Sequence, residues 1–156
     1  MKDEVYELES ANDLTSFDFV SVGKNGKIPK RIVFNPTETD RIYSLTYGDI
    51  TETDRIDDTS VSNNGDRNKI LATIVLAVDR YTARYPDRTI YFMASTDART
   101  RLYRMAIGLH WEELSAKYLI FADADSEDGW VPFQKNMEIT AFSIMRKAFN
   151  ISSNIL

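Results

Sequence analysis

Two clusters of residues in this 156-residue chain have the types and spacing to hold an anion. The first is the loop from Ser62 to Arg67, where Asn63, Asn64, Gly65 and Asp66 lead into Arg67 and, two residues on, Lys69. Asn-Gly-Asp supports a tight turn, and a helix starting there offers backbone N–H groups with no partner inside the helix. The second cluster is Arg99, Arg101 and Tyr103, just behind Ser95-Thr96-Asp97 at the start of a helical stretch. Guanidinium suits phosphate or carboxylate in a two-pronged geometry that an ammonium lacks. If the two clusters face one another, Asn64, Gly65, Asp66, Arg67, Arg99 and Arg101 form a single anion site at adjacent strand ends. Each cluster also has a plain role. The loop can be a turn and cap, and Asp97 with Arg101 can be an ordinary helix-surface pair contributing roughly a few tenths of a kcal/mol.

Other chemistries fare worse. The chain has no cysteine and one histidine, His110, so thiolate zinc sites, cysteine nucleophiles, disulfides and multi-histidine metal sites are excluded. Asp49, Glu52, Asp54, Asp57 and Asp58 supply hard oxygens for a divalent cation, but without EF-hand spacing they read better as a solvated acidic loop. Asp123, Asp125, Glu127 and Asp128 read the same way. No metal is expected. His110-Trp111-Glu112-Glu113 reads as a helix end, with the imidazole near the negative pole.

Net charge is −5, yet the segments 49–58 and 123–128 each carry −4, which leaves +3 for the rest. A mildly basic body with two acidic loops fits a local anion site and argues against nucleic acid, which needs a broad basic face. The start, Met-Lys-Asp-Glu, is acidic with no apolar leader, and the longest apolar run, Ile70 to Val78, is too short for a bilayer. The expectation is a cytoplasmic protein without a membrane partner, binding a small anionic ligand or a protein. A homodimer through the aromatic strands of the first half is a further option.

The elements that would position these residues follow from periodicity. Thr15–Val22, Ile28–Phe34 and Arg41–Tyr47 alternate as strands and form an antiparallel meander. Asn25-Gly26 makes the first turn, with positive φ expected at both residues. Pro29 marks the second strand as an edge. A polar stretch, 48–66, precedes a helix over about 67–84, capped by Asp66 or Asn68 and stopped by Tyr85-Pro86. Residues 89–94 form a buried strand leading to a helix over 97–109. In that helix Ala98, Leu102, Met105, Ala106 and Leu109 are read as the core face, with Arg99 and Tyr103 on a flank. Another strand is expected at 117–122, and 137–147 reads as either strand or helix. The fold class is α+β: one domain over 1–156, with a mixed antiparallel and parallel sheet and two main helices.

This order of meander, loop-helix, strand and Leu-Tyr helix resembles the GCN5-related N-acetyltransferase fold. Gly65-Asp66-Arg67-Asn68-Lys69-Ile70-Leu71 is similar to its pyrophosphate loop, with Arg67 in place of the second glycine. Leu102-Tyr103 is similar to the family's Leu-Tyr. That resemblance implies acetyl-CoA as cofactor and Tyr103 as general acid for an N-acetyltransferase. A side chain at the second glycine fills space that the pyrophosphate requires, so the favoured expectation is an acetyltransferase-like fold with no cofactor and no acyl-CoA chemistry. Asp57-Asp58-Thr59, the Asn-Asn-Gly-Asp loop and Ala98-Arg99-Thr100-Arg101-Leu102-Tyr103 together resemble a family of small uncharacterised bacterial proteins, which implies a shared fold and no mechanism.

Overall fold

A computed structural model of the protein describes residues 4–92, 96–123, 130–134 and 141–147. Within them, nine strands form one sheet. The first half is the expected meander: β1 (Glu9–Ser10), β2 (Ser16–Gly23), β3 (Gly26–Pro36) and β4 (Ile42–Ile50), each antiparallel to the next. β5 (Ile56–Asp57) folds back on the end of β4. Helix α1 (Arg67–Arg84) then crosses to β6 (Thr89–Phe92), which lies parallel to the start of β4. Helices α2 (Asp97–Leu109) and α3 (Trp111–Lys117) lead to β7 (Tyr118–Asp123), β8 (Trp130–Pro132) and β9 (Ala141–Arg146). The strand order is β1-β2-β3-β4-β6-β9-β7-β8, so the last strand inserts between β6 and β7. β4 with β6 is the parallel pair and the other pairs are antiparallel, which makes the sheet mixed and the class α+β.

Strand alternation puts Phe17, Phe19, Ile32, Phe34, Leu45, Tyr47, Ile90, Phe92, Tyr118, Ile120, Phe142 and Ile144 on the buried face, under the helices. Tyr81 of α1 stacks on Phe34 with ring centres 3.9 Å apart, and Tyr103 of α2 meets Phe92 edge-on at 5.5 Å. α1 is buried on several sides, from Ile70 to Thr82, because it lies between both halves of the sheet and α2.

Several expectations are corrected. Pro29 is not on an edge strand, since β3 lies between β2 and β4. The backbone of Val22 faces the Tyr6 hydroxyl, away from β3, so Val20, two residues earlier, also turns away from its partner Pro29. The β3–β4 register ends one residue short of Pro29, at Lys30 opposite Asp49, so the missing N–H costs no ladder bond. In the first turn Gly26 alone adopts positive φ; Asn25 does not. A third helix, α3, occupies the stretch read as a helix end. Residues 141–146 are a strand. The expected strand at 89–94 is described to Phe92, and residues 93–95 lie outside the described residues, as do 124–129 of the second acidic loop and 135–140.

The largest correction concerns α2. Its buried residues are Arg99, Tyr103, Ala106 and Ile107, while Ala98 is exposed and Leu109 is 56% exposed. The helix is therefore turned toward the expected flank: Ala106 keeps its expected place, Leu102 and Met105 pack at the edge of the core, and Arg99 and Tyr103 face inward. Counting apolar residues shifted the stripe because Arg99 is an inward-facing cation.

Candidate functional site

β4 and β6 pair over Ile42–Ser44 and Thr89–Tyr91, and beyond that β4 pairs with β5 instead, at Asp49 and Ile50. The two parallel strands thus part at their carboxyl ends, where helices α1 and α2 both begin. Ligands of open α/β sheets lodge at such a parting. Here it holds a cleft of about 730 Å³, walled by residues 59–66, the first turn of α1, Thr96, Ala98, Arg99 and Leu102 of α2, and Lys30 and Tyr47 of the sheet. Gly65 and Arg99, 34 positions apart, open onto the same space.

Of the expected site residues, Asn64, Gly65, Asp66, Arg67 and Arg99 line this cleft. Arg101 is on the exposed side of α2 and is not among the lining residues. Tyr103 is 3% exposed and also lies outside the lining. Burial drives its phenol pKa well above the usual tyrosine range, against the opposing pull of the Arg99 charge.

The lining residues divide into those that build the wall and those that face the space. Asn64 is a builder. Its Oδ1 accepts from the Asn25 backbone N–H at 2.6 Å, and its Nδ2 donates to Ser21 Oγ and the Gly26 carbonyl, both at 3.0 Å. The loop approaches so closely that a Cβ on Gly23 would stand 1.9 Å from the Asn64 carbonyl oxygen. Gly65 has φ +82° with open space around it, so the turn demands glycine for conformation and not for room.

Asp66 precedes α1 but does not cap it. Its Oδ2 accepts from the Tyr6 hydroxyl and from Ser21 Oγ at 2.5 Å. Burial, with the Asp66 hydrogen bond next, raises the Tyr6 pKa and keeps that phenol a donor. As a result the first turn of α1 has neither a side-chain cap nor an acidic residue, and it carries Arg67, exposed, and Lys69, whose ammonium sits 4.3 Å from the Tyr6 ring centre. A helix start in this condition favours negative charge.

Arg99 and Lys30 form the floor. The Arg99 guanidinium lies 4.7 Å from the Tyr47 ring centre and donates Nε–H to the Asp58 carbonyl and Nη2–H to the Ser60 carbonyl, both at 3.1 Å. Lys30 flanks the same ring at 5.8 Å, pairs with Asp49 and donates to Ser62 Oγ. Burial pushes the Tyr47 pKa up strongly, so its phenol is neutral between the two cations. At the head of α2, Thr96 Oγ1 accepts from the Arg99 N–H at 3.1 Å, a regular N-cap.

Sequence reasoning missed Lys30, Tyr47, Tyr6 and Ser21. For Lys30 a signal was present: it shares strand parity with Ile32 and Phe34, and a lysine on the apolar face of a strand calls for a buried acceptor. Nothing local marks Tyr6 or Ser21, whose partners are 60 and 45 residues away.

Asp49, Asp54 and Asp57 are held by other side chains. Asp49 pairs with Lys30, Asp54 with Arg31 at 2.9 Å, and Asp57 accepts from Thr59. No group of three or more His, Cys, Asp or Glu gathers at metal-binding distance among the described residues. Nor is any helix among them long and apolar enough to cross a membrane.

Nothing among curated proteins or solved structures matches this chain. The model of one protein family, described as a family of unknown function (DUF6934), matches residues 2–147, and the chain belongs to that family.

Proposed function

We propose that the cleft at the parting of β4 and β6 binds a small anionic ligand, in a cytoplasmic protein that carries out no acyl-CoA chemistry. The observation behind this is the uncapped, acid-free first turn of α1, with Arg67 and Lys69 on it and Lys30 and Arg99 across the space. Four cations and one carboxylate, Asp66, line the cleft, and Asp66 is committed to Tyr6 and Ser21. The volume suits a metabolite.

The competing reading, an N-acetyltransferase using acetyl-CoA, needs the Tyr103 hydroxyl beside the departing thiolate. Its burial outside the lining and its raised pKa argue against that role. Arg67, where the family's loop has glycine, argues the same way.

A thermal-shift and calorimetric series with inorganic phosphate, acetate, nucleotides and acetyl-CoA tests the proposal, since a ligand of the native state raises its midpoint. Phosphate is expected to bind with an affinity that falls as salt rises, and Arg67→Ala with Lys69→Ala is expected to weaken it about tenfold. Tight binding of acetyl-CoA, with turnover lost in Tyr103→Phe at unchanged cofactor affinity, would establish the competing reading.

A further inference from the structure

We infer that residues 58–64 form a strap over the cleft whose closure is coupled to anion occupancy through Arg99 and Lys30. This inference rests on the anion-site reading and adds how that site responds to its ligand.

The strap is held in an unusual way. Side chains from three other elements hold it in place of a strand ladder, alongside a backbone bond from the Lys24 N–H to the Asn64 carbonyl at 3.2 Å. Arg99 of α2 holds the Asp58 and Ser60 carbonyls, and Asn25 of the first hairpin donates Nδ2–H to the carbonyls of Ser62 at 3.0 Å and Asn63 at 3.1 Å. Lys30 of β3 holds Ser62 Oγ. Asn64, buried and bonded to the first hairpin, anchors the strap's far end; before it the chain has little packing, with Val61 78% exposed and Asn63 at a left-handed φ of +48°. A segment tied by a few polar pins with few apolar contacts opens at low cost.

Two of the pins are also cations of the anion site, and this creates the coupling. Arg99 gives the strap two of its donors, Nε and Nη2, and Nη1 makes none of the strap's bonds. An anion can therefore take the end of the guanidinium while the strap keeps its side. Residues 59–64 themselves line the cleft, so the ligand would rest on the strap as well as on the cations. Both contacts favour the closed form. By linkage, the factor by which the anion tightens the strap equals the factor by which the closed strap binds the anion more tightly than the open one.

Hydrogen–deuterium exchange of the full chain, with and without inorganic phosphate, reads the strap directly. Saturating phosphate is expected to slow exchange across 58–64 several-fold while leaving the interior of α1 unchanged. Without phosphate, Arg99→Gln is expected to speed strap exchange about tenfold, as loss of charge-assisted bonds implies. Asn25→Ala removes two pins from an exposed residue that does not line the cleft, so folding is not at stake. It should speed strap exchange and weaken phosphate binding together. Unchanged or faster strap exchange in phosphate, with calorimetry recording binding, overturns the coupling and leaves the anion site standing. Absence of phosphate binding removes the anion site and the coupling with it. Unaltered strap exchange in both variants overturns the pinning itself.

Discussion

Arg99 shows how one side chain can hold a loop and line a cleft at once. Buried against the Tyr47 ring, it satisfies two carbonyls of the strap and still presents charge to the cleft. A lysine could not replace it, because a single ammonium cannot serve two carbonyls side-on and stack on an aromatic face. Gly23 matters at the same scale for the opposite reason, the absence of a side chain. With the Asn64 carbonyl oxygen 1.9 Å from where a Cβ would stand, Gly23→Ala must push the 62–65 loop off the hairpin. The expected loss is roughly 2 kcal/mol or more in urea unfolding, the scale of an overpacked interior site. Phosphate affinity should fall with it, because the displaced loop is a wall of the cleft. A Gly23→Ala protein of native stability would mean that the loop does not sit where it is described. Of the candidate site, the cleft-lining Gly65, Asp66, Arg67 and Arg99 were legible because turn chemistry, helix starts and guanidinium are local signals. Tyr6, Ser21 and Tyr47 were not, since each acts through partners far away in sequence.

At the scale of elements, α2 depends on its first turn. Thr96 caps it through the Arg99 N–H, and Asp97 supplies an acid at the positive pole. Thr96→Ala should cost about 1 kcal/mol, whereas Thr96→Ser should be close to neutral. Chemical denaturation of the two variants checks this, and equal stability would remove the cap from the account. α1 is the contrasting case: its preceding Asp66 turns to Tyr6 and Ser21, so the stability a cap would provide goes instead into joining the N-terminal segment to β2. The two helices could not be told apart in the sequence, since both are preceded by good capping residues. Only the presence of Tyr6 beside Asp66 redirects that carboxylate. The rotation of α2 was equally hidden, because periodicity counts apolar residues and cannot foresee a buried arginine paid for by carbonyls from another loop.

For the molecule as a whole, several tyrosines are buried in one core shared by the sheet and the helices. Burial raises the pKa of Tyr47, Tyr103 and Tyr118, the last to about 12 from its ordinary 10.0. A phenol whose folded pKa is raised is ionised first in the unfolded chain, so the folded state binds more protons above pH 10. Stability is then fully present below that pH and declines as pH rises through the folded values. Urea midpoints measured from pH 8 to 11.5 should be flat and then fall, and Tyr118→Phe should make the fall shallower. A flat profile to pH 11.5 would contradict the burial of these phenols.

The sequence alone determined the meander, the bounds of α1 and α2 and the α+β class, because strand alternation, helical spacing, caps and proline stops act within a dozen residues. The tertiary structure decided that β9 inserts between β6 and β7, that Arg99 faces inward and that Lys30 joins it on the cleft floor. Each of those outcomes depends on which distant groups satisfy a buried charge or an open strand edge. Such pairings are chosen by the packed whole, and no window of neighbouring residues contains both partners.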